Sequence, residues 1–467
     1  MNEPRAIRTA ILAAPLESSH FGGPPQPGTL YIPPSHLKAL KREAHLVIGG
    51  RGVGKSFWTA ALNNPTLRNS LPDLANCSVS IGFAENPDIA RYPNADVISN
   101  LLKDGVDPYD MWRAVILRWA TRLTQSDIPA SDWRNTINFL REQPEKVALL
   151  MQAAAASGDG MILFDALDRT SNDWQRMDQI VRGLMRAVLW LKPFARLGAK
   201  VFLREDQAER TVFDFPDASK LQATKAELTW ARHDLHGMLW QRLINAPEPY
   251  GDVLRALCQC RKDGANWRLD EDMKRDSDIQ RSAFAALAGP WMGRDRRRGV
   301  PYVWSVGHLA DGRGYTSPRS FSAAIHQAAE DSQDRYPDHT HALHYESIKR
   351  GIQKASEIRV NEIAEDYPWI REVLGVFDGL NVPCSFEDII RTRWQDRFPN
   401  GPSSIPSERL PAQHTLRGWE GICTDLQRLG LVEIMSDGRF NMPDLYRVGF
   451  GLGRRGGVRP RRGTAHD

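Results

Sequence analysis

The chain has 467 residues, of which 41% are hydrophobic and 25% charged, and a formal net charge of +4. Such a length exceeds one compact core and sets about two to four domains. No apolar run approaches the roughly 20 residues that span a bilayer, which excludes a helical membrane protein, and the weak net charge points to no class of partner.

The N-terminal apolar patch carries acidic Glu3 and makes a poor signal peptide, so a cytoplasmic location is expected. Residues 1–40, with FGGPPQPGTLYIPPS, are rich in Pro and Gly and read as an extended lead-in. From about 41 to 222, short apolar runs alternate with helical stretches, which predicts an α/β fold: a parallel sheet with helices on both faces. HLVIG is its first strand, and SFWTAALNN starts the following helix. SVSIGF (78–83) and ADVIS (95–99) read as short strands, and a long helical region follows over 108–156. MILFDAL (161–167) is a strand ending in an acid. WQRMDQIVRGLMRAVLWLKPF has apolar residues at helical spacing and stops at Pro193. AKVFLRED (199–206) is a further buried strand ending in charge.

Residues 223–375 read as a helical lid, a bundle of amphipathic helices interrupted by the loop LADGRGYTSPRSF. From 376 to 451 the order is helix (SFEDIIRTRW), loop, helix (LRGWEGICTDLQRLG), then two strand-like runs around Ser-Asp-Gly-Arg. That is the layout of a winged helix. Arg417, Gln427 and Arg428 fall on the candidate recognition helix, with Arg439 on the wing and Arg447 beyond it; Glu420 and Asp425 interrupt the basic face. The tail 452–467, LGRRGGVRPRRGTAHD, carries five arginines and one aspartate and is expected to be disordered. Five scattered cysteines (Cys77, Cys258, Cys260, Cys384, Cys423) lack zinc-ligand spacing, so reduced thiols are expected and no structural metal.

The stretch HLVIGGRGVGKSFW carries the sharpest signal. Gly49, Gly50, Arg51, Gly52, Val53, Gly54, Lys55 and Ser56 satisfy G-x-x-x-x-G-K-[ST], after a strand and before a helix, with Phe57 completing the segment. Glycines let successive backbone N–H groups turn toward phosphates, and the helix adds its positive end. Lys55 supplies a point charge, and Ser56 a hydroxyl for Mg²⁺. ATP with Mg²⁺ is therefore the expected ligand. Asp165, at the end of MILFD, is the candidate to hold the metal ion through water. Asp168 either positions a water near the γ-phosphate or caps the next helix, and Arg169 is a phosphate contact or a surface charge. Arg204 leaves the C-terminal end of its strand toward the nucleotide crevice, where it senses the γ-phosphate or pairs with Glu205 or Asp206.

The P-loop GGRGVGKS, the acidic strand LFDALDR and the strand VFLRED together resemble the AAA+/STAND superclass of P-loop ATPases. FDALD is similar to the magnesium motif of STAND and KAP-type NTPases. In DASKLQATKAELTWARHDLHGMLWQRL, a Trp precedes a helix carrying Leu and Arg, as after the sensor strand of prokaryotic members. TSPRSF resembles the sensor-2 region of AAA+ lids and implies a phosphate-reaching role for Arg319. The order of core, helical lid and winged helix is similar to that of ORC/Cdc6-type ATPases. One departure stands out: the family usually places Glu directly after the magnesium aspartate, and here that position is Ala166, which implies weak turnover. The base-reading N-K-x-D of G proteins is absent, so adenine is expected.

The resemblance implies a nucleotide-dependent conformational or oligomerisation switch in a prokaryotic multi-component system such as anti-phage defence. On that reading the chain is a homo-oligomer working with a separately encoded protein effector. The alternative is a DNA-binding initiator or regulator in which the winged helix and basic tail carry the function and ATP sets affinity. His233, Asp234 and His236 share one helix turn and do not make a catalytic triad.

Overall fold

The computed structural model describes residues 3–16, 25–69, 71–208, 211–455 and 458–460. The chain divides into two units, one formed by Ser19–Pro25 and Ile32–Thr229, the other by Met1–Ser18, Gln26–Tyr31 and Trp230–Asp467.

The first unit is built on five parallel strands: β1 (Leu46–Ile48), β2 (Ser78–Phe83), β3 (Gly160–Phe164), β4 (Leu197–Leu203) and β5 (Ala226–Glu227). Their order across the sheet is β2-β3-β4-β1-β5. Strands β1, β3 and β4 are buried along their whole length, as a central parallel strand covered on both faces must be. Register places Ile48 beside Leu203, and Phe164 beside Val201. Consequently β4 separates β1 from β3, and whatever leaves the end of β4 emerges between the loops that follow the other two. The helix Pro108–Thr124 packs on β2 and on the helix Trp174–Leu191. Its Trp112 anchors this layer: the indole N–H donates to the Ile180 carbonyl at 2.9 Å, and the ring meets Phe83 and Phe164 edge-on.

Three expectations need correction. Residues 95–99 are not a strand but the start of the helix Ala95–Lys103. The Asn94 side chain accepts from the Val97 N–H, and Ile98 and Leu101 bury one helical face. The lead-in is not simply extended, because Glu3–Ala13 is a helix. It is held by Arg8, whose guanidinium donates to the carbonyls of Tyr336, Pro337, His341 and Ala342. Inside the expected helical lid, β6 (Cys260–Asp263) and β7 (Asn266–Leu269) form a hairpin turned at Gly264, φ 59°.

The remainder of the second unit is mainly helical. The helices Pro318–Arg335 and Tyr345–Asp366 pack so closely that a Cβ on Gly351 would lie 2.1 Å from the Ala324 carbonyl oxygen. Beyond them come the helix Pro368–Gly375, β8 (Cys384–Ser385), a helical stretch over 386–397, the helix Trp419–Arg428, β9 (Glu433–Ile434) and β10 (Arg439–Asn441). The sheet order is β8-β10-β9, antiparallel throughout. This is a winged-helix arrangement, one strand longer than the sequence suggested. Trp394 and Trp419 stack at its centre.

Arg447 does not reach outward. It is fully buried, and its guanidinium donates to Asp444 and to the carbonyls of Leu452 and Val458. Those bonds order the first stretch of the tail that composition suggested was disordered. Arg454 docks on Asn441 and the Met442 carbonyl, and the Arg459 carbonyl accepts from Gln353. Tail residues 456–457 and 461–467 lie outside the described residues.

Candidate nucleotide site

The loop after β1 turns through two left-handed glycines, Gly52 (φ 78°) and Gly54 (φ 108°), conformations that other residues adopt only at a cost. Gly54 is the N-cap of the helix Lys55–Asn63. Gly49 is needed for another reason: a Cβ there would come within 2.6 Å of Val53 and 3.3 Å of Leu228. Phe57, half-buried in the first turn, lies edge-on to buried Trp58, whose indole N–H donates to His36 Nδ1 at 3.0 Å and fixes the helix to the chain before β1.

The Lys55 ammonium folds back over the loop and donates to the carbonyls of Gly49 and Gly50 at 2.8 and 2.7 Å. Burial lowers its pKa to about 8; Asp165, Asp168 and Asp206 oppose that fall, and Arg204 adds to it. Asp165 follows β3, its N–H donating to the Phe83 carbonyl at 2.9 Å. The side chain is 4% exposed, and burial pushes its pKa up, countered by a hydrogen bond from the Ser56 hydroxyl and by the charge of Lys55. Lys55, Ser56 and Asp165 therefore form one connected group.

Arg204, just past β4, completes it. Its Nε and Nη2 lie 3.1 Å from the two oxygens of Asp206, and Nη1 is 3.6 Å from Asp168. Of the alternatives left open by sequence, pairing with Asp206 is present and Asp168 joins the pair. Asp168 does not cap the next helix. Asp173 does, accepting from the Arg176 N–H at 2.9 Å. Arg169 pairs with Glu85 on the exposed surface. Ala166 has a left-handed backbone, φ 55°, which turns the chain sharply between Asp165 and Asp168.

Arg319 belongs to the other unit, in the first turn of the helix Pro318–Arg335, where it pairs with Glu362 at 2.8 Å. Asp206 entered the sequence reading only as an ion-pair rival, yet its charge acts on Lys55 as well. An acid two residues beyond Arg204, at the same strand end, was the available signal.

The donor set is all hard oxygen and nitrogen: turned backbone, one ammonium, and a hydroxyl–carboxylate pair. It fits a phosphate chain carrying a small divalent cation, which favours oxygen ligands and retained water. Among the described residues, no group of three or more His, Cys, Asp or Glu is arranged to hold a metal by itself. No described helix is long and apolar enough to cross a membrane.

No protein-family model matches the chain, and no curated protein matches it. Among solved structures, it is similar to the Aeropyrum pernix ORC2 protein in ADPNP–ADP complexes, with 12% identity, 93% of each chain covered and a TM-score of 0.34. A Walker-type ATPase of Pyrococcus abyssi gives 12% identity over 88% of this chain and 93% of that one, TM-score 0.37. The Aeropyrum pernix ORC1 protein in complex with DNA gives 15% identity over 85% and 82%, TM-score 0.34. With TM-scores below 0.5, the site is read from this chain's own geometry.

Proposed function

We propose that the chain binds Mg·ATP on residues 49–57 and the ends of β3 and β4, hydrolyses it slowly and uses it as a conformational or oligomerisation switch. The observation that carries this reading is the meeting of Lys55, Ser56, Asp165, Asp168, Arg204 and Asp206 at the C-terminal ends of three neighbouring strands, the edge where open parallel sheets bind ligands.

Ser56 and Asp165 are the residues that would hold Mg²⁺, which would supply charge neutralisation at the phosphates. The protein's own steps are exchanges of partner. Lys55 leaves the Gly49 and Gly50 carbonyls for phosphate oxygens. Arg204 exchanges Asp206 and Asp168 for the γ-phosphate, which frees Asp168 to orient water. ADP offers no such exchange to Arg204, so the two nucleotides stabilise different states of one ion-pair group. With Ala166 in place of a carboxylate, slow hydrolysis follows.

Self-association and a separately encoded effector belong to this reading; the antiviral setting rests on the family resemblance alone. The test is particle mass with ATP, ADP and no nucleotide, for wild type and Lys55→Ala. A mass change seen only with ATP and lost in the variant supports the switch; identical masses throughout reject it.

A second reading, an ATP-regulated DNA-binding initiator, is favoured by the winged-helix topology. Arg417, Gln427, Arg428 and Arg439 are exposed there. The acids that interrupt the face have local partners: Asp425 is buried and accepts the N–H groups of Gln413 and His414, and Glu420 pairs with Arg391.

A further inference from the structure

Residues 293–299, Gly-Arg-Asp-Arg-Arg-Arg-Gly, form a closed loop in the second unit. The Met292 N–H donates to the Gly299 carbonyl at 2.8 Å and pins the two ends together, with Met292 buried beneath at 2% exposure. Gly293 (φ 147°) and Gly299 (φ 92°) make the turns at either end. Asp295 caps the single turn Arg296–Arg298 by accepting from the Arg297 N–H at 2.8 Å.

The loop raises Arg294, Arg296, Arg297 and Arg298, all exposed. Several other arginines of this unit are tied down: Arg255 to Glu248 and Asp252, Arg350 to Asp331, Arg359 to Glu362. By contrast, none of these four guanidiniums bonds to any other described residue. Four arginines and one aspartate within five residues concentrate three net positive charges in a loop whose backbone is already fixed. Such a loop offers phosphate binding at little ordering cost.

Its position gives it a direction. Gly299 lies against Trp304, at 3.3 Å from where a Cβ would sit. Trp304 is on the short helix Pro301–Gly307, and its ring meets that of His308 at a tilt, centroids 4.0 Å apart. His308 Nδ1 in turn meets Asp444 at 2.6 Å, three residues past the wing strand β10. Four residues on, the Gly312 N–H donates to the Gly430 carbonyl between the candidate recognition helix and β9. A seven-residue helix is ~10 Å long, so the arginine loop and the winged helix are fastened to the two ends of one short strut.

We propose that residues 294–298 are a duplex-DNA contact, a phosphate clamp that extends the winged-helix surface along the double-stranded backbone. The proposal rests on the second reading above and assigns a share of that binding to a site outside the winged helix. A rigid strut between two phosphate-seeking elements suits a stiff duplex better than a single strand, which would need bases stacked on aromatic faces; of the aromatic residues next to the loop in sequence, Tyr302 is buried and Trp291 is 37% exposed.

The test uses the full chain without nucleotide and a labelled duplex of random sequence, followed by anisotropy from 50 to 200 mM salt. Four proteins are compared: wild type, R294A/R296A/R297A/R298A, the same four positions changed to Lys, and R428A/R439A on the recognition helix and wing, the wing variant. The alanine variant is expected to bind at least about tenfold more weakly at 100 mM salt and to lose up to about 3.6 from the magnitude of the log–log salt slope, ~0.9 for each phosphate contact removed. The lysine variant should restore most of both. All four side chains are exposed, so thermal melting should be unchanged. An alanine variant with wild-type affinity and slope overturns the proposal, as does no duplex binding by wild type at 50 mM salt or tighter binding of single-stranded RNA. Loss confined to the wing variant overturns the loop but leaves the second reading standing. Loss confined to the loop variant supports the loop and removes the wing. Because nucleotide is absent, none of these outcomes depends on the P-loop.

Discussion

Mg·ATP affinity should weaken as pH rises through 8, and Lys55 is the reason. Its ammonium is pushed down to about 8 by burial, against about 10.4 for a free lysine. The sign follows from which form binds: phosphate oxygens need the ammonium, and raising pH through 8 removes it before ligand arrives. If only the protonated form binds, the dissociation constant scales as one plus the ratio of neutral to charged lysine. That factor is about 1.1 at pH 7, about 2 at pH 8 and about 11 at pH 9, a loss of roughly tenfold across two units. A phosphate ester's second proton leaves near pH ~6, so the nucleotide itself contributes little above pH 7.5.

Isothermal titration at pH 7.5, 8.5 and 9.5 reads the effect directly. Lys55→Arg keeps a charge that does not titrate in this range and should flatten the profile, even if it binds less well. Lys55→Ala should be flat and weaker by about 10- to 150-fold, the worth of a charged hydrogen bond of ~1.5–3 kcal/mol. A wild-type profile as flat as the arginine variant's would refute the argument that a desolvated lysine limits binding.

Two further expectations concern the second unit. Arg447→Ala leaves the carbonyls of Leu452 and Val458 without their buried donor, while Asp444 keeps His308 and Arg454, and should cost that unit about 1–3 kcal/mol by denaturant unfolding, with Mg·ATP affinity unchanged. Gly351→Ala must push apart a pair of helices whose approach leaves no room for a methyl group. A loss of about 1–3 kcal/mol and a lower melting temperature are expected; an unchanged melting temperature would show that the helices separate freely.

What was legible in the sequence was what is local. A phosphate loop is written in contiguous glycines whose backbone angles the motif demands, and Asp165 follows a strand of four apolar residues. The strand-like reading of ADVIS failed because β-branched residues suggest extension, while an Asn cap and apolar residues three apart decided for helix. The hairpin over 260–269 did announce itself, through Asp-Gly between paired runs, but the helical pattern around it dominated. Buried charges were invisible for a different reason. Arg447 looks like a surface base, and Lys200 like the polar residue of a strand. Yet Lys200 is wholly buried and donates to the carbonyls of Ala39, Lys41 and Ala44. Those acceptors lie about 160 positions away in the chain, and no local pattern specifies them. The pairing of Arg204 with Asp206, two residues on, was one of the alternatives the sequence offered; the approach of Asp168 was not, since it comes from a different strand end.

The division of the chain into units also sets an order of events at the ribosome. Residues 32–229 form one unit and are complete well before the other, because the helix Glu3–Ala13 and the segment 26–31 belong with residues 230–467. Made about 330 residues earlier, Arg8 finds its acceptors only when residues 336–342 have been made. At translation speeds of about 5–20 residues per second, the first helix waits ~15–70 s for its seat, and its apolar face must be shielded in the interval.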